Sequence, residues 1–159
     1  GFKARPTTDF AKEGLFNILE NVYVDFEVSP TALDLFAGTG SIGLELASRG
    51  CGKVVSVEKD FKHWQFLSRV QKELQIKEWL PLKGDVFKYV HTCRVQYDII
   101  FADPPYALEN LADIPDVALP LLAEGGVFIL EHGSSYDFSQ HPRFVNHRNY
   151  GSVNFSFFQ

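Results

Sequence analysis

The sequence predicts a doubly wound α/β fold: a mostly parallel sheet, helices on both faces, and an antiparallel hairpin at the end. Three observations carry this. Short, continuous apolar runs such as "KVVSVE" and "YDIIFAD" alternate with amphipathic helical stretches, which is the pattern of strands buried on both faces. A glycine-rich turn, "AGTG", follows the first apolar run and opens a helix. The closing "RFVNHRNYGSVNFSFF" alternates about Tyr150-Gly151-Ser152 as a hairpin does.

Taken in order, "TTDFAKEGLFNILENV" is a helix with Ala11, Leu15, Ile18 and Val22 on one face, capped by Thr8 or Asp9. "TALDLF" is the first strand, and "SIGLELASRG" a helix stopped at Gly50. "KVVSVE" is the second strand. "KDFKHWQFLSRVQKELQ" is an amphipathic helix with Trp64, Leu67, Val70 and Leu74 on one side. "EWLPLKGD" reads as a weaker third strand broken by Pro81, and "YDIIFAD" as the fourth. "IPDVALPLLAEGG" reads as a helix stopped by Gly125-Gly126, before a fifth strand "VFILEH". Right-handed crossovers then wind the sheet in both directions. The segment "GSSYDFSQHP" and the loop after Pro105 are expected to be the flexible ones.

The 159 residues amount to one domain, 1–159, and 45% apolar content suits a packed core. No run approaches the roughly 18 apolar residues of a membrane span. Cys51 and Cys93 are too few for a disulfide framework, so a cytoplasmic setting is expected. A start at Gly1 and the absence of Met predict a short amino-terminal segment preceding this stretch. The net charge of −5 argues against a free-standing nucleic-acid binder.

The chemistry concentrates at the ends of strands. Gly38, Gly40 and Gly43 have the G-x-G-x-x-G spacing, in which Gly38 and Gly40 let the backbone turn sharply and approach a ligand. Glu58 ends the second strand, where an acid accepts both hydroxyls of a ribose. A pyrophosphate ligand is disfavoured, because Asp34 opens the motif and the turn holds no lysine or arginine. An acidic turn suits a ligand with a cationic amino-acid end, as in S-adenosylmethionine. "GDVF" offers Asp85 to an adenine amino group and the Val86 N–H to a ring nitrogen. Ala37, Gly38, Gly40 and Ser41 of the turn, with Glu58 and Lys59, complete this candidate cofactor wall.

Behind the fourth strand stands "DPPY". Neither proline offers an N–H, so the strand ends near Asp103. The first and fourth strands of a doubly wound sheet are neighbours, and ligands bind where the strand order reverses. The turn at Gly38 and the rim of Asp103, Pro104, Pro105 and Tyr106 are therefore expected to face one another. The Asp103 carboxylate and Pro104 carbonyl are two acceptors for the two N–H groups of an exocyclic amine. The prolines hold them rigid, and Tyr106 stacks on the flipped base.

"DLFAGTGSIGLE", "VVSVEKD", "GDVF" and "FADPPY" resemble the class I S-adenosylmethionine methyltransferases, whose fold is a Rossmann-like seven-stranded sheet. "RPTTDFAKEGLFNIL" and "RNYGSVNFSFF" are similar, more narrowly, to the bacterial small-subunit ribosomal RNA guanine-N2 methyltransferases of the RsmD type. The resemblance covers nearly the whole chain. It implies S-adenosyl-L-methionine as cofactor, S-adenosyl-L-homocysteine as product and no metal. It also implies ribosomal RNA in the small subunit as partner and a monomer as the working form. It places "RPTTD" over the cofactor, making Arg5, Thr7 and Thr8 cofactor-side candidates. Phe10, Ala11 and Glu13 depart from the more basic helix usual there. Three rivals remain: a DNA adenine-N6 methyltransferase, which shares "DPPY" but needs a further recognition domain; a non-catalytic S-adenosylmethionine-binding module, which has no use for the rim; and a nicotinamide dehydrogenase, which leaves "DPPY" unexplained. The five histidines share no metal-ligand spacing and are read as structural or exposed.

Overall fold

A computed structural model describes residues 8–159. The first helix, α1 (Asp9–Ile18), is capped by the Thr8 side chain, which accepts from the Ala11 N–H. It continues into a π turn, Leu19–Tyr23, before the chain enters the sheet. The wider turn rotates the apolar stripe. Leu19 is buried and Val22 is 64% exposed, so Val22 does not join the face of Ala11, Leu15 and Ile18.

Strand β1 (Thr31–Leu35) is followed by α2 (Ser41–Arg49), β2 (Lys53–Glu58), α3 (Phe61–Leu74) and β3 (Trp79–Lys83). Helix α4 (Val86–Thr92) then leads to β4 (Tyr97–Ala102). Helix α5 (Ile114–Ala118) precedes β5 (Leu122–His132), and the hairpin of β6 (Phe144–Tyr150) and β7 (Val153–Phe158) closes the chain. The sheet order is β3-β2-β1-β4-β5-β7-β6. The first five strands pair in parallel, and β7 pairs antiparallel with β5 and β6.

Several elements differ from their sequence reading. Pro81 does not break β3: the strand is continuous and lies at the sheet edge, where a missing N–H is tolerated. The sequence reading passed over α4, whose Asp85 cap and buried Val86 and Val90 are all it offers as signal. The helix expected to run to Gly125-Gly126 stops at Ala118, and a 3₁₀ turn at Leu119–Leu121 hands over to β5. Both glycines lie inside that strand, where the β4–β5 register shifts between Tyr97 and Ile99. A Cβ at Gly126 would lie 2.6 Å from the Asp98 carbonyl, so the close strand approach requires glycine there. Leu74 is exposed at the end of α3, whose buried face centres on Leu67. The "GSSYDFSQHP" segment is tied down: Phe138 is buried and stacks on Tyr136, and the Ser139 N–H bonds Asp137.

The sheet separates two cores. One gathers α1, α2 and α3 against Val127, Ile129, Phe155 and Phe157. The other gathers α4 and α5 against Leu33, Ile100, Phe128 and Phe158. Both sheet faces are covered, and the carboxyl ends of the strands open onto a cleft.

Candidate active site

The site begins with three strand ends held level. Beyond the strands proper, the Ala37 N–H bonds the Val57 carbonyl, the Gly84 N–H bonds the Glu58 carbonyl, and the Asp103 N–H bonds the Leu35 carbonyl. Register places Asp34 between Ser56 and Phe101. The turns after β1, β2, β3 and β4 therefore converge on one cleft of about 820 Å³, within the usual range of about 300–1,000 Å³ for a small-molecule site.

The cleft brings together most of the expected residues. Asp34, Ala37, Gly38, Ser41, Glu58, Lys59, Asp85 and Val86 line it, together with Asp103, Pro104, Pro105 and Tyr106. The glycine turn has unusual backbone: Phe36, Gly38 and Gly40 all have positive φ, at 59°, 57° and 79°. For Phe36 this is a strained conformation at a functional turn. Its ring meets Phe87 edge-on at the cleft wall.

Gly40 is absent from the cleft lining. A Cβ there would lie 2.2 Å from Leu67 and 3.1 Å from Trp79, so this glycine makes room for the core beneath the turn. Thr8 caps α1 and does not line the cleft either. Arg5 and Thr7 lie outside the described residues. Lys12 stands 3.8 Å from Glu45 as an ion pair. Arg143 donates to the Gln159 carbonyl.

Three acids of the cleft, Glu58, Asp60 and Asp85, accept from backbone N–H groups. Glu58 Oε1 accepts from the Gly38 N–H at 2.7 Å and Oε2 from the Asp60 N–H at 2.9 Å. Each oxygen keeps a further lone pair, so the carboxylate can hold the turn and still receive a ribose. Asp60 and Asp85 cap α3 and α4, accepting from the His63 and Lys88 N–H groups. Lys59 lies 3.9 Å from Asp85 on an exposed stem.

Asp34 is different, because it is 1% exposed. Helix α2 has no side-chain cap at Gly40, and the Gly43 N–H, one of the orphan donors of its first turn, bonds the Asp34 carboxylate from above. Ser56 Oγ–H donates to Asp34 Oδ2 at 2.9 Å. Burial, the dominant influence, raises the Asp34 carboxyl to about 7; the Ser56 bond lowers it and the Glu58 charge raises it.

Sequence reasoning missed several parts of the wall. Phe61, 53% exposed, and buried His63 sit on the first turn of α3, facing the cleft with Asp60. His63 Nδ1 lies 3.6 Å from Asp60 Oδ2 and 3.9 Å from Glu58 Oε2. The signal was present in "VEKDFKHW": a cap residue followed by an aromatic and a histidine one turn into a helix. The neighbours of Asp34 carried no such signal, because Ser56 and Trp79 reach it from other strands.

Among the described residues no three or more His, Cys, Asp or Glu side chains form a metal cluster, and no helix is long and apolar enough to cross a membrane. Cys51 is buried and its thiol is pushed up to about 12, chiefly by burial. That leaves it no nucleophilic character.

Strand order and strand-end cleft together define the class I methyltransferase architecture. Comparison with known proteins agrees. The chain belongs to the family described as Conserved hypothetical protein 95, whose model matches residues 1–159. It is 33% identical over 138 residues to YlbH of Bacillus subtilis, provisionally named an rRNA methyltransferase; the match covers 83% of this chain and 73% of YlbH. It is also 33% identical over 102 residues to ribosomal RNA small subunit methyltransferase D of Escherichia coli K12, covering 64% of this chain. The chain spans about half the length (50%) of that relative. The solved structure of yhhF from Escherichia coli, provisionally titled a methyltransferase, superposes with a TM-score of 0.84 at 25% identity, covering all (100%) of this chain and 89% of that one. A Thermus thermophilus 16S rRNA N2 G1207 methyltransferase, solved with AdoMet and guanosine, shares the fold: TM-score 0.75, 23% identity, 100% of this chain and 45% of that one.

Proposed function

We propose that this protein transfers a methyl group from S-adenosylmethionine to the exocyclic N2 amine of a guanine in small-subunit ribosomal RNA, acting as a monomer in the cytoplasm. One observation carries the reading: the acidic glycine turn and the Asp103–Tyr106 rim line the same cleft. The relatives named for rRNA methylation support the substrate class.

The residues present fit the cofactor. Among the described residues the cleft offers Asp34, Glu58, Asp60, Asp85 and Asp103 against Lys59 and His63, a balance that suits an ammonium and a sulfonium and opposes a pyrophosphate. Asp34 faces the cationic amino-acid end, Glu58 the ribose hydroxyls, and Asp85 with the Val86 N–H the adenine. When bound, S-adenosylmethionine supplies an electrophilic methyl group.

The chain's own work lies on the other wall. The guanine amine is a poor nucleophile because its lone pair is delocalised into the ring. Asp103 and the Pro104 carbonyl accept its two N–H bonds, favour a tetrahedral nitrogen and stabilise the positive charge that appears there. Pro104 and Pro105 fix those acceptors. Tyr106 packs over Gly133, 3.5 Å from a Cβ position there, and presents a face on which the flipped base stacks, worth about 1–3 kcal/mol. The charge of −5 gives little phosphate attraction, so the base is expected to be presented by an assembled small subunit.

The test is incubation with labelled S-adenosylmethionine and, separately, small subunits lacking the modification, protein-free ribosomal RNA, and DNA, followed by identification of the modified nucleoside. N2-methylguanosine from small subunits is expected. N6-methyl-2′-deoxyadenosine from DNA, or NAD binding in place of S-adenosylmethionine, would overturn the reading.

A further inference from the structure

A buried chain of hydrogen bonds runs beneath the glycine turn and ends on Asp34. Trp79 opens β3 at the sheet edge, and its indole Nε1–H donates to Ser56 Oγ at 2.9 Å. Ser56, on the next strand, donates to Asp34 Oδ2 at 2.9 Å. The direction is fixed by chemistry: an indole nitrogen has no acceptor lone pair, and the single hydroxyl proton of Ser56 is then left for the carboxylate. All three residues are buried, at 2%, 0% and 1% exposure. The space they occupy is reserved by Gly43. A Cβ there would lie 2.4 Å from Ser56 Oγ, 2.9 Å from Asp34 Oδ2 and 3.0 Å from Trp79 Nε1. The third glycine of the turn motif therefore accommodates this chain of bonds.

We infer that Ser56 and Trp79 are positioning residues for the cofactor: through the Trp79–Ser56–Asp34 chain they hold the Asp34 carboxylate in the orientation, and in the charge state, that receives the cationic amino-acid end of S-adenosylmethionine. The inference rests on the cofactor reading given above. A side chain as short as aspartate, buried at the end of β1, gains its rotamer from its partners, and here they come from two neighbouring strands and from the Gly43 N–H. The charge state follows from the same contacts. Burial opposes ionisation of Asp34 and the Ser56 bond favours it. Among the elements packed against Asp34, β2 brings the Glu58 charge, which opposes ionisation. At the paired positions β4 contributes Phe101, which does not titrate; β3 contributes the indole; α2 contributes backbone. Asp103 and His63 share the cleft. Loss of the Ser56 donor must therefore move ionisation of Asp34 to higher pH, and cofactor binding with it.

The test uses the full chain labelled with ¹⁵N. The indole N–H resonance of Trp79 is followed from pH 5 to 9 without ligand, in the wild type, Asp34→Asn and Ser56→Ala. Trp64, whose indole donates to the Pro81 carbonyl, is the internal control and is assigned with Trp64→Phe. In the wild type the Trp79 resonance is expected to titrate near the Asp34 midpoint of about 7, to stand still in Asp34→Asn, and to lose most of its movement in Ser56→Ala. Calorimetry with S-adenosylmethionine at pH 6.5 and 8.5 completes the test. Ser56→Ala is expected to bind about tenfold more weakly at the lower pH and to recover part of that loss at the higher, with Trp79→Phe following in the same direction. A Trp79 resonance indifferent to pH in the wild type, or one that still titrates in Asp34→Asn, overturns the chain; neither result depends on Ser56→Ala folding. A loss of affinity in Ser56→Ala equal at both pH values overturns the positioning role. If the resonance behaves as expected and the wild type binds no S-adenosylmethionine, the cofactor reading fails, the positioning role falls with it, and the hydrogen-bonded chain stands.

Discussion

Asp34→Asn separates stability from function at the heart of the site. The wild-type carboxyl is raised from 3.8 to about 7 by burial. At 1.36 kcal/mol per pH unit, ionising it in the folded protein costs about 4 kcal/mol relative to the unfolded chain. The direction is that of a raised acid. Below 3.8 the group is protonated in both states and nothing is lost. Between 3.8 and 7 the folded state keeps a proton that the unfolded state releases, so stability falls as pH rises, and above 7 the whole cost is present. An asparagine carries no such cost. It has one acceptor where the carboxylate serves both Ser56 and Gly43, and leaving one donor unpaired costs about 1–3 kcal/mol. The variant is therefore expected to be more stable than the wild type at pH 8 by about 1–3 kcal/mol, and within about 1 kcal/mol of it at pH 5, where less of the cost is present. Denaturant melts at both pH values measure this, with calorimetry to show that S-adenosylmethionine affinity falls at least tenfold. A stability difference that is the same at pH 5 and pH 8 would refute the assignment of Asp34 as a buried acid held under strain for its charge.

Glu58→Ala is expected to weaken S-adenosylmethionine binding at least tenfold and also to lower stability by about 1–3 kcal/mol, because it leaves the Gly38 and Asp60 N–H groups without their carboxylate; calorimetry and denaturant melts read the two effects. Gly43→Ala, an innocuous change on most helices, is expected to cost about 1–3 kcal/mol, since its Cβ would press on Ser56 Oγ at 2.4 Å; a neutral melt would show that the space beneath the turn is not reserved.

Much of the fold was legible because local and global signals agree. The β1–turn–α2 unit, Glu58 at the end of β2 and the rim after β4 each combine an apolar run with residues that can only end it. The cleft followed from topology: once β1 and β4 are neighbours, Gly38 and Asp103 must meet. What escaped the sequence escaped for physical reasons. Helix α4 is short, and its buried residues Val86 and Val90 make too brief a stripe to show a period. The π turn at Leu19–Tyr23 shifts the face by a residue that no composition betrays, turning Val22 outward. Gly125-Gly126 carries a helix-stop signal, yet the β4–β5 register uses it inside a strand. Gly40 looked like a ligand-facing glycine, but the atoms nearest it belong to Leu67 and Trp79, and those nearest a Cβ at Gly43 belong to Ser56, Asp34 and Trp79, residues brought in from other elements. Such contacts have no local pattern from which to be read.

The central claim is that the Asp103–Tyr106 rim performs methyl transfer while the glycine turn holds the cofactor. Single-turnover transfer of labelled methyl to small subunits by Asp103→Ala, at saturating S-adenosylmethionine and with its affinity measured alongside, tests it most directly. The account expects unchanged cofactor affinity and a rate reduced on the order of 10²-fold or more, as for deletion of one oriented group in a preorganised site. Transfer at the wild-type rate would place the chemistry elsewhere and contradict it.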